Sequence, residues 1–235
     1  MGQRIQILFE VPEIYWNPDN PNNRAERILV YHNQWLYGMN FLKYADRLIK
    51  AILYLINAEM VRGPFVGDEK GYPIVWDDIV QNSVDHANHV DLDYLTNTNL
   101  YFNDGTGDKE VDEAIMKAED ALDFLKEWDN NNGYLFIKIK KDGTICYDIL
   151  NGTENADEIK SRTPMEFLRL FYTAKEIKGD EFDDTKKAIE SLKSFERTNC
   201  FREINSFIQR KKGIVPSTSF NTRIEFLANG VNENG

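Results

Sequence analysis

The chain has 235 residues, and 28 Lys plus Arg against 39 Asp plus Glu give a formal charge of −11. Its 42% hydrophobic and 12% aromatic content excludes a disordered polyelectrolyte, a collagen-like repeat and a small disulfide-stapled domain. The acidic balance argues against direct binding of duplex nucleic acid, because that affinity rests on phosphate neutralisation by Lys and Arg.

A chain of this length buries roughly 70–75% of its unfolded surface and needs no metal or disulfide staple. The expectation is a single α+β domain over 1–225 with a fraying tail at 226–235. Cys146 and Cys200 are far apart, with no Cys-x-x-Cys spacing and no neighbouring His. They suit two reduced, packed thiols in a cytoplasmic protein. The N-terminus enters a strand-like run at once, without a signal-peptide core. The most apolar stretch, Ala51 to Ile56, is far too short to span a bilayer, so no membrane association is expected.

In chain order, Ile5 to Val11 reads as a strand with partial alternation, stopped by Pro12. Asn17-Pro18-Asp19-Asn20-Pro21-Asn22-Asn23 is loop chemistry, and Arg27 to His32 reads as a second strand able to pair antiparallel with the first. A helix is predicted from about Asn40 to Glu59, where Phe41, Ala45, Leu48, Ile52 and Leu55 step by three and four. Its second half is apolar almost all round, which places it beneath other elements.

Signals weaken between Arg62 and Gly107, with turns at Gly63-Pro64, Gly67-Asp68 and Gly71-Tyr72-Pro73 and a short helix starting near Trp76. A second clear helix is predicted from Glu110 to about Trp128, with acids largely off its apolar stripe. Tyr134–Lys140 and Thr144–Leu150 flank Lys141-Asp142-Gly143 as a hairpin, since Asp-Gly favours a turn with positive φ. Thr163, Pro164 and Glu166 form a capping box that opens another helix. A last charged helix is placed from Asp184 to about Phe195, continuing in pieces to Lys211. This order points to an α+β fold, an antiparallel sheet with helices packed on one face.

Met1-Gly2-Gln3-Arg4-Ile5-Gln6 and Tyr31-His32-Asn33-Gln34-Trp35-Leu36-Tyr37-Gly38 together resemble a family of uncharacterised proteins known from phages, bacteria and some fungi. Those open with Met-Gly-Gln-Arg-His-Gln and continue through His-His-Gln-Trp-Leu-Tyr-Gly into an apolar helix. The Asn-rich turn Asp129 to Gly133 is similar too. The family brings no known activity; the resemblance implies a small intracellular protein, often carried on a mobile element. Ile5 and Asn33 stand where proteins of that pattern carry His, so any chemistry of those imidazoles is absent from this chain.

The residues themselves suggest a candidate site. Arg4 and Gln6 alternate against Ile5 and Ile7. If the first two strands pair, they come near His32 and Gln34, with Tyr37 close behind, as a polar cluster at the sheet's edge. An Arg fork with amides and an imidazole suits a carboxylate or phosphate. The plainer interpretation is that these groups satisfy backbone and brace the strand-to-helix turn at Gly38.

His86 and His89 would share a helix face, near Asp91 and Asp93. Imidazole with carboxylate suits zinc, manganese or non-haem iron. The segment lacks the Glu of a His-Glu-x-x-His motif, so a polar surface turn is the favoured reading and His86 and His89 remain the metal candidates. Asp129 to Gly133 fails the calcium-loop register, and Asp104-Gly105-Thr106-Gly107-Asp108 lacks the Lys of a P-loop. No nucleophile elbow occurs, no cofactor is expected, and catalysis is left open. The favoured function is therefore interaction: an acidic, aromatic surface that binds a host protein or a second copy of the chain, with a basic partner groove as the sharper case. The alternative is a small-ligand binder or hydrolase-like enzyme with a site around Arg4, His32 and Gln34.

Overall fold

A computed structural model describes residues 4–14, 24–34, 36–62, 76–89, 98–102, 120–127, 133–140, 142–151, 159–178, 182–199, 201–202 and 204–205. The tail expected at 226–235, the calcium-like turn 129–132, the glycine turn 104–108 and most of the helix expected from 110 lie outside them. The chain is α+β. Its strands are β1 (Arg4–Ile14), β2 (Arg24–Gln34), β3 (Thr98–Phe102), β4 (Tyr134–Ile139), β5 (Ile145–Leu150), β6 (Ser161–Arg162) and β7 (Glu196–Arg197). Its α-helices are α1 (Gly38–Arg62), α2 (Trp76–His89), α3 (Ala121–Glu127), α4 (Pro164–Leu168) and α5 (Asp183–Leu192).

The strands form one sheet in the order β3-β2-β1-β4-β5-β6, with β7 also paired to β5. β1 and β2 form the expected antiparallel ladder, from Arg4↔Gln34 to Ile14↔Arg24. The sheet is not purely antiparallel, however. β1 runs parallel to β4 from Gln6↔Tyr134 to Glu10↔Lys138, and β5 runs parallel to β7 at Cys146↔Glu196 and Tyr147↔Arg197. Both parallel pairings join segments distant in sequence, so neither has a turn signature. Pro12 does not stop β1. It lies beyond the last β4 rung at Glu10, where a missing N–H costs no bond on that side.

One sheet face carries Ile5, Ile7, Phe9 and Val11 of β1, Leu29 and Tyr31 of β2, Leu135, Ile137 and Ile139 of β4, and Ile145, Tyr147 and Ile149 of β5. These pack in one cluster with Phe41, Leu48 and Ile52 of α1, Ile79 and Val84 of α2, Phe167 of α4 and Ile189 of α5. The ring of Phe9 meets that of Tyr31 edge-on at 5.4 Å between centroids, a favoured aromatic geometry.

The opposite face is also buried, which corrects the expectation of helices on one face only. Leu8, Val30, Tyr134, Phe136 and Leu150 are each at most 1% exposed. α3 lies against this face: the Tyr134 hydroxyl donates to the Leu125 carbonyl at 2.5 Å. The backbone N–H of Ala121 in turn donates to Asn205 Oδ1. Burial on both faces explains why β1 alternates only partially, as strands covered on both sides read as near-continuous apolar runs.

The β4–β5 hairpin turns where expected, with Gly143 at φ 81°. The capping box is also as expected. Thr163 Oγ1 accepts from the Glu166 N–H, while Glu166 Oε2 accepts from the Thr163 N–H. Asp85 and His86 belong to helix α2, where a surface turn was expected, and α5 ends at Leu192 so that Glu196–Arg197 can join the sheet. Among the described residues no helix is long and apolar enough to cross a membrane.

Candidate functional site

The first candidate is the N-terminal rung. The ladder places Arg4 opposite Gln34 and Gln6 opposite His32, so the two motif segments are direct sheet neighbours. Gln6 and His32 do not lie at the sheet's edge, since β4 pairs with Gln6 and β3 with His32, whereas the Arg4↔Gln34 rung lies beyond both pairings. Continuing the rung, Asn99 of β3 pairs with His32, and Tyr134 of β4 pairs with Gln6. Asn99, His32, Gln6 and Tyr134 thus occupy one row of register positions across four strands.

Gln6 is fully buried, with its backbone N–H donating to the Gly133 carbonyl at 3.3 Å. The side chains of Arg4, His32 and Gln34 lie outside the described residues. Tyr37, 36% exposed, is at the turn into α1, where its carbonyl accepts from the Phe41 N–H. The turn itself depends on Gly38, which has φ +54° and sits against the Tyr172 ring. The Tyr172 hydroxyl accepts from the Met39 N–H at 3.4 Å, supplying one of the partners that a helix N-terminus lacks.

His86 is exposed on α2, and the His89 side chain lies outside the described residues. Among the described residues no group of three or more His, Cys, Asp or Glu could hold a metal ion. The α2 polar contacts are internal: Gln81 accepts from the Tyr31 hydroxyl at 3.3 Å and donates to Asp85 Oδ1 at 3.0 Å.

Sequence reasoning passed over a second polar set on the other half of the sheet. Asp148 is fully buried, and its Oδ1 accepts from Ser161 Oγ at 2.6 Å and Arg197 Nη2 at 2.8 Å. Arg197 Nη2 also lies 2.6 Å from Ser161 Oγ and 2.9 Å from the Arg162 carbonyl. One guanidinium therefore ties β5, β6 and β7 together. Along the same face, Glu10, 1% exposed, pairs with Lys138 Nζ at 2.6 Å across the parallel β1–β4 rung. The available signal was an ionisable residue inside an apolar strand run, as at Glu10 and Asp148. Ions in such positions are stable only when paired.

At the outer end of this set, Glu196 Oε2 accepts from Cys146 Sγ at 3.3 Å and from Lys140 Nζ at 3.0 Å. Burial and the adjacent Glu196 carboxylate push the Cys146 thiol above its ordinary range. The Lys140 ammonium, hydrogen-bonded to Glu196 Oε2, holds that carboxyl below its ordinary range. Cys146 is thus a protonated thiol at neutral pH, not a poised nucleophile. No protein-family model, curated protein or solved structure matches the chain.

Proposed function

We propose that this protein acts by binding another protein through a negatively charged flank of its sheet, and that the partner offers a basic surface. The supporting observation is the segregation of charge along the chain. Residues 76–132 contain 15 Asp and Glu but only three Lys and no Arg, a balance of −12, so the rest of the chain is close to neutral. That segment includes α2, β3 and α3. It begins against the first face of the sheet, forms the strand beside β2 and returns on the second face at Tyr134. The described exposed part of α2 bears Asp78, Asp85 and His86, and α2 contains no Lys or Arg.

A concentrated single-sign field speeds encounter with an oppositely charged surface and makes it sensitive to salt. A second copy of this chain would carry the same sign, so a distinct basic partner fits the charge better than self-association. The test is capture from bacterial lysate on immobilised parent protein and on a variant with Asp77, Asp78 and Asp85 changed to Asn. A partner retained at low salt, released at high salt and lost with the variant supports the reading. A partner lost equally when Glu166, Glu176 and Glu190 are changed to Gln overturns the assignment to this flank.

The resemblance of the N-terminal motifs to phage and bacterial proteins without known activity is carried in the same spirit: we read the chain as an intracellular protein of mobile-element origin. A second reading, a carboxylate or phosphate site around Arg4, His32, Gln34 and Tyr37, is favoured by one observation, the Arg4↔Gln34 and Gln6↔His32 register. Its test is phosphate binding by calorimetry to folded Arg4→Ala; binding equal to the parent removes it.

A further inference from the structure

Lys138 faces Cys146 across the β4–β5 hairpin. Lys140 is therefore the diagonal neighbour of Cys146 on the same sheet face, within reach of a long side chain. The two meet at one atom: Glu196 Oε2 lies 3.0 Å from Lys140 Nζ and 3.3 Å from Cys146 Sγ. Both groups therefore converge on the same carboxylate oxygen. Cys146 is 2% exposed, while the Lys140 and Glu196 side chains are 39% and 63% exposed. The sulfur thus lies beside a solvent-exposed ion pair.

We propose that Lys140 and Cys146 form an oxidation-dependent sulfenamide cross-link across the β4–β5 hairpin, with a peroxide as the oxidant. In the first step an Sγ–O bond forms as the peroxide O–O bond breaks. Sulfur loses two electrons to the peroxide, and the thiol proton leaves with the departing oxygen as water, giving a sulfenic acid. In the second step the Lys140 ammonium first gives one proton to solvent through Glu196; the freed Nζ lone pair then attacks Sγ, and an Sγ–N bond forms as the S–O bond breaks. The hydroxyl leaves as water with a proton from nitrogen, and no further oxidant is consumed. Condensation of a sulfenic acid with a nearby nitrogen is established cysteine chemistry. Glu196 accepts hydrogen bonds from both reacting groups and is placed to relay the protons they release.

The thiol is protonated at neutral pH, so the first step speeds up as pH rises and exposes the thiolate. The cross-link removes the ammonium charge that holds Glu196. It thereby weakens the side-chain tie at the Cys146↔Glu196 rung where β7 joins the sheet.

The experiment treats the full-length folded protein with hydrogen peroxide, digests it, and maps the peptides by mass spectrometry before and after a thiol reductant. The expected product joins the Lys140 and Cys146 peptides with the loss of two hydrogens, increases in yield with pH, and separates on reduction. Lys140→Arg keeps the charge beside Glu196 but lacks the primary amine, so it abolishes the cross-link and leaves Cys146 to oxidise to sulfinic or sulfonic acid. Reductive methylation of the parent lysines, which requires no mutant to fold, has the same effect. Cys146 found unmodified, only oxygenated, or joined to Cys200 in the parent overturns the proposal.

Discussion

The two flanks of the sheet use ionisable residues in opposite ways. At the β5–β6–β7 end, Asp148, Arg197, Lys140 and Glu196 are engaged with one another, and their geometry holds three strands together. Residues 76–132, which include α2 and β3, carry a balance of −12, and Asp78 and Asp85 of α2 are exposed. Charges of the first kind are paired and partly desolvated, so their removal is read in stability. Asp78 and Asp85, of the second kind, are exposed, and on the proposed function their removal is read in association.

The largest effect expected from this contrast is at Arg197. Arg197→Ala removes the guanidinium that lies 2.8 Å from Oδ1 of the fully buried Asp148. Breaking a buried ion pair by removing one partner costs about 3–5 kcal/mol, and the partial exposure of Arg197, whose side chain is 32% accessible, places the loss at about 3 kcal/mol. Urea denaturation of the parent and variant measures it. Asp148→Asn in the Arg197→Ala background removes the buried charge and recovers part of the loss. A single-variant loss below about 1 kcal/mol, the range of a surface ion pair, would place this network among ordinary solvated contacts and break the comparison.

The next effect is set by pH on the same half of the sheet. Tyr147 is fully buried, and burial pushes its hydroxyl from 10.0 up to about 12. The folded state therefore holds this proton more tightly than the unfolded state. Its contribution is complete below pH 10 and is lost as pH rises from about 10 through about 12. That two-unit window corresponds to about 2–3 kcal/mol. Tyr147→Phe removes this titration, and with it part of the alkaline slope, which urea midpoints taken across the window detect. The Tyr147 Oη has no hydrogen-bond partner among the described residues, so the same substitution costs little at neutral pH. A variant with the parent's alkaline slope would relocate the titration to another group.

What could be read from the residue order divides along the same line. β1, β2, α1, the β4–β5 hairpin and the Thr163 cap were legible because each has a local cause: alternation, a three-and-four stripe, Asp142-Gly143, or Thr163 with Glu166. The β1–β4 and β5–β7 pairings were not, since Gln6 and Tyr134, or Cys146 and Glu196, are far apart in the chain and no local signal joins them. The candidate rung shows both outcomes. Arg4↔Gln34 and Gln6↔His32 follow from two adjacent antiparallel strands, whereas its place inside the sheet depends on β4 and β3. The Asp148–Arg197 network was passed over because the two are 49 residues apart and no motif joins them.

Gly38 gives a smaller effect that separates the N-terminal segment from both flanks. Its φ of +54° lies in the left-handed region, and a Cβ there would press on the Tyr172 hydroxyl. The left-handed conformation costs an L-residue about 1–2 kcal/mol, so Gly38→Ala loses about that much in thermal or urea denaturation. Gly38→Ala with Tyr172→Phe removes the closest contact, the hydroxyl, but leaves the ring carbons within 3 Å of the new Cβ and the backbone strain in place. The double variant therefore recovers only part of the loss. Full recovery would assign the requirement to space alone.

The smallest stability change is expected where the functional effect is largest. Asp77 and Asp78 lie in the first turn of α2, where carboxylates gain about 0.3–1 kcal/mol from the helix dipole. Asp85 accepts one exposed hydrogen bond from Gln81. Changing all three to Asn retains good helix-capping amides and removes three negative charges, for a net loss within about 1 kcal/mol. Circular dichroism and urea unfolding check that the fold is kept, and partner capture at matched ionic strength reads the lost charge. A triple variant that unfolds as readily as Arg197→Ala would mean that α2 uses its acids as β5–β7 uses its own, for cohesion. One that folds normally and still captures the partner with parental salt dependence would mean that the field of this flank takes no part in binding.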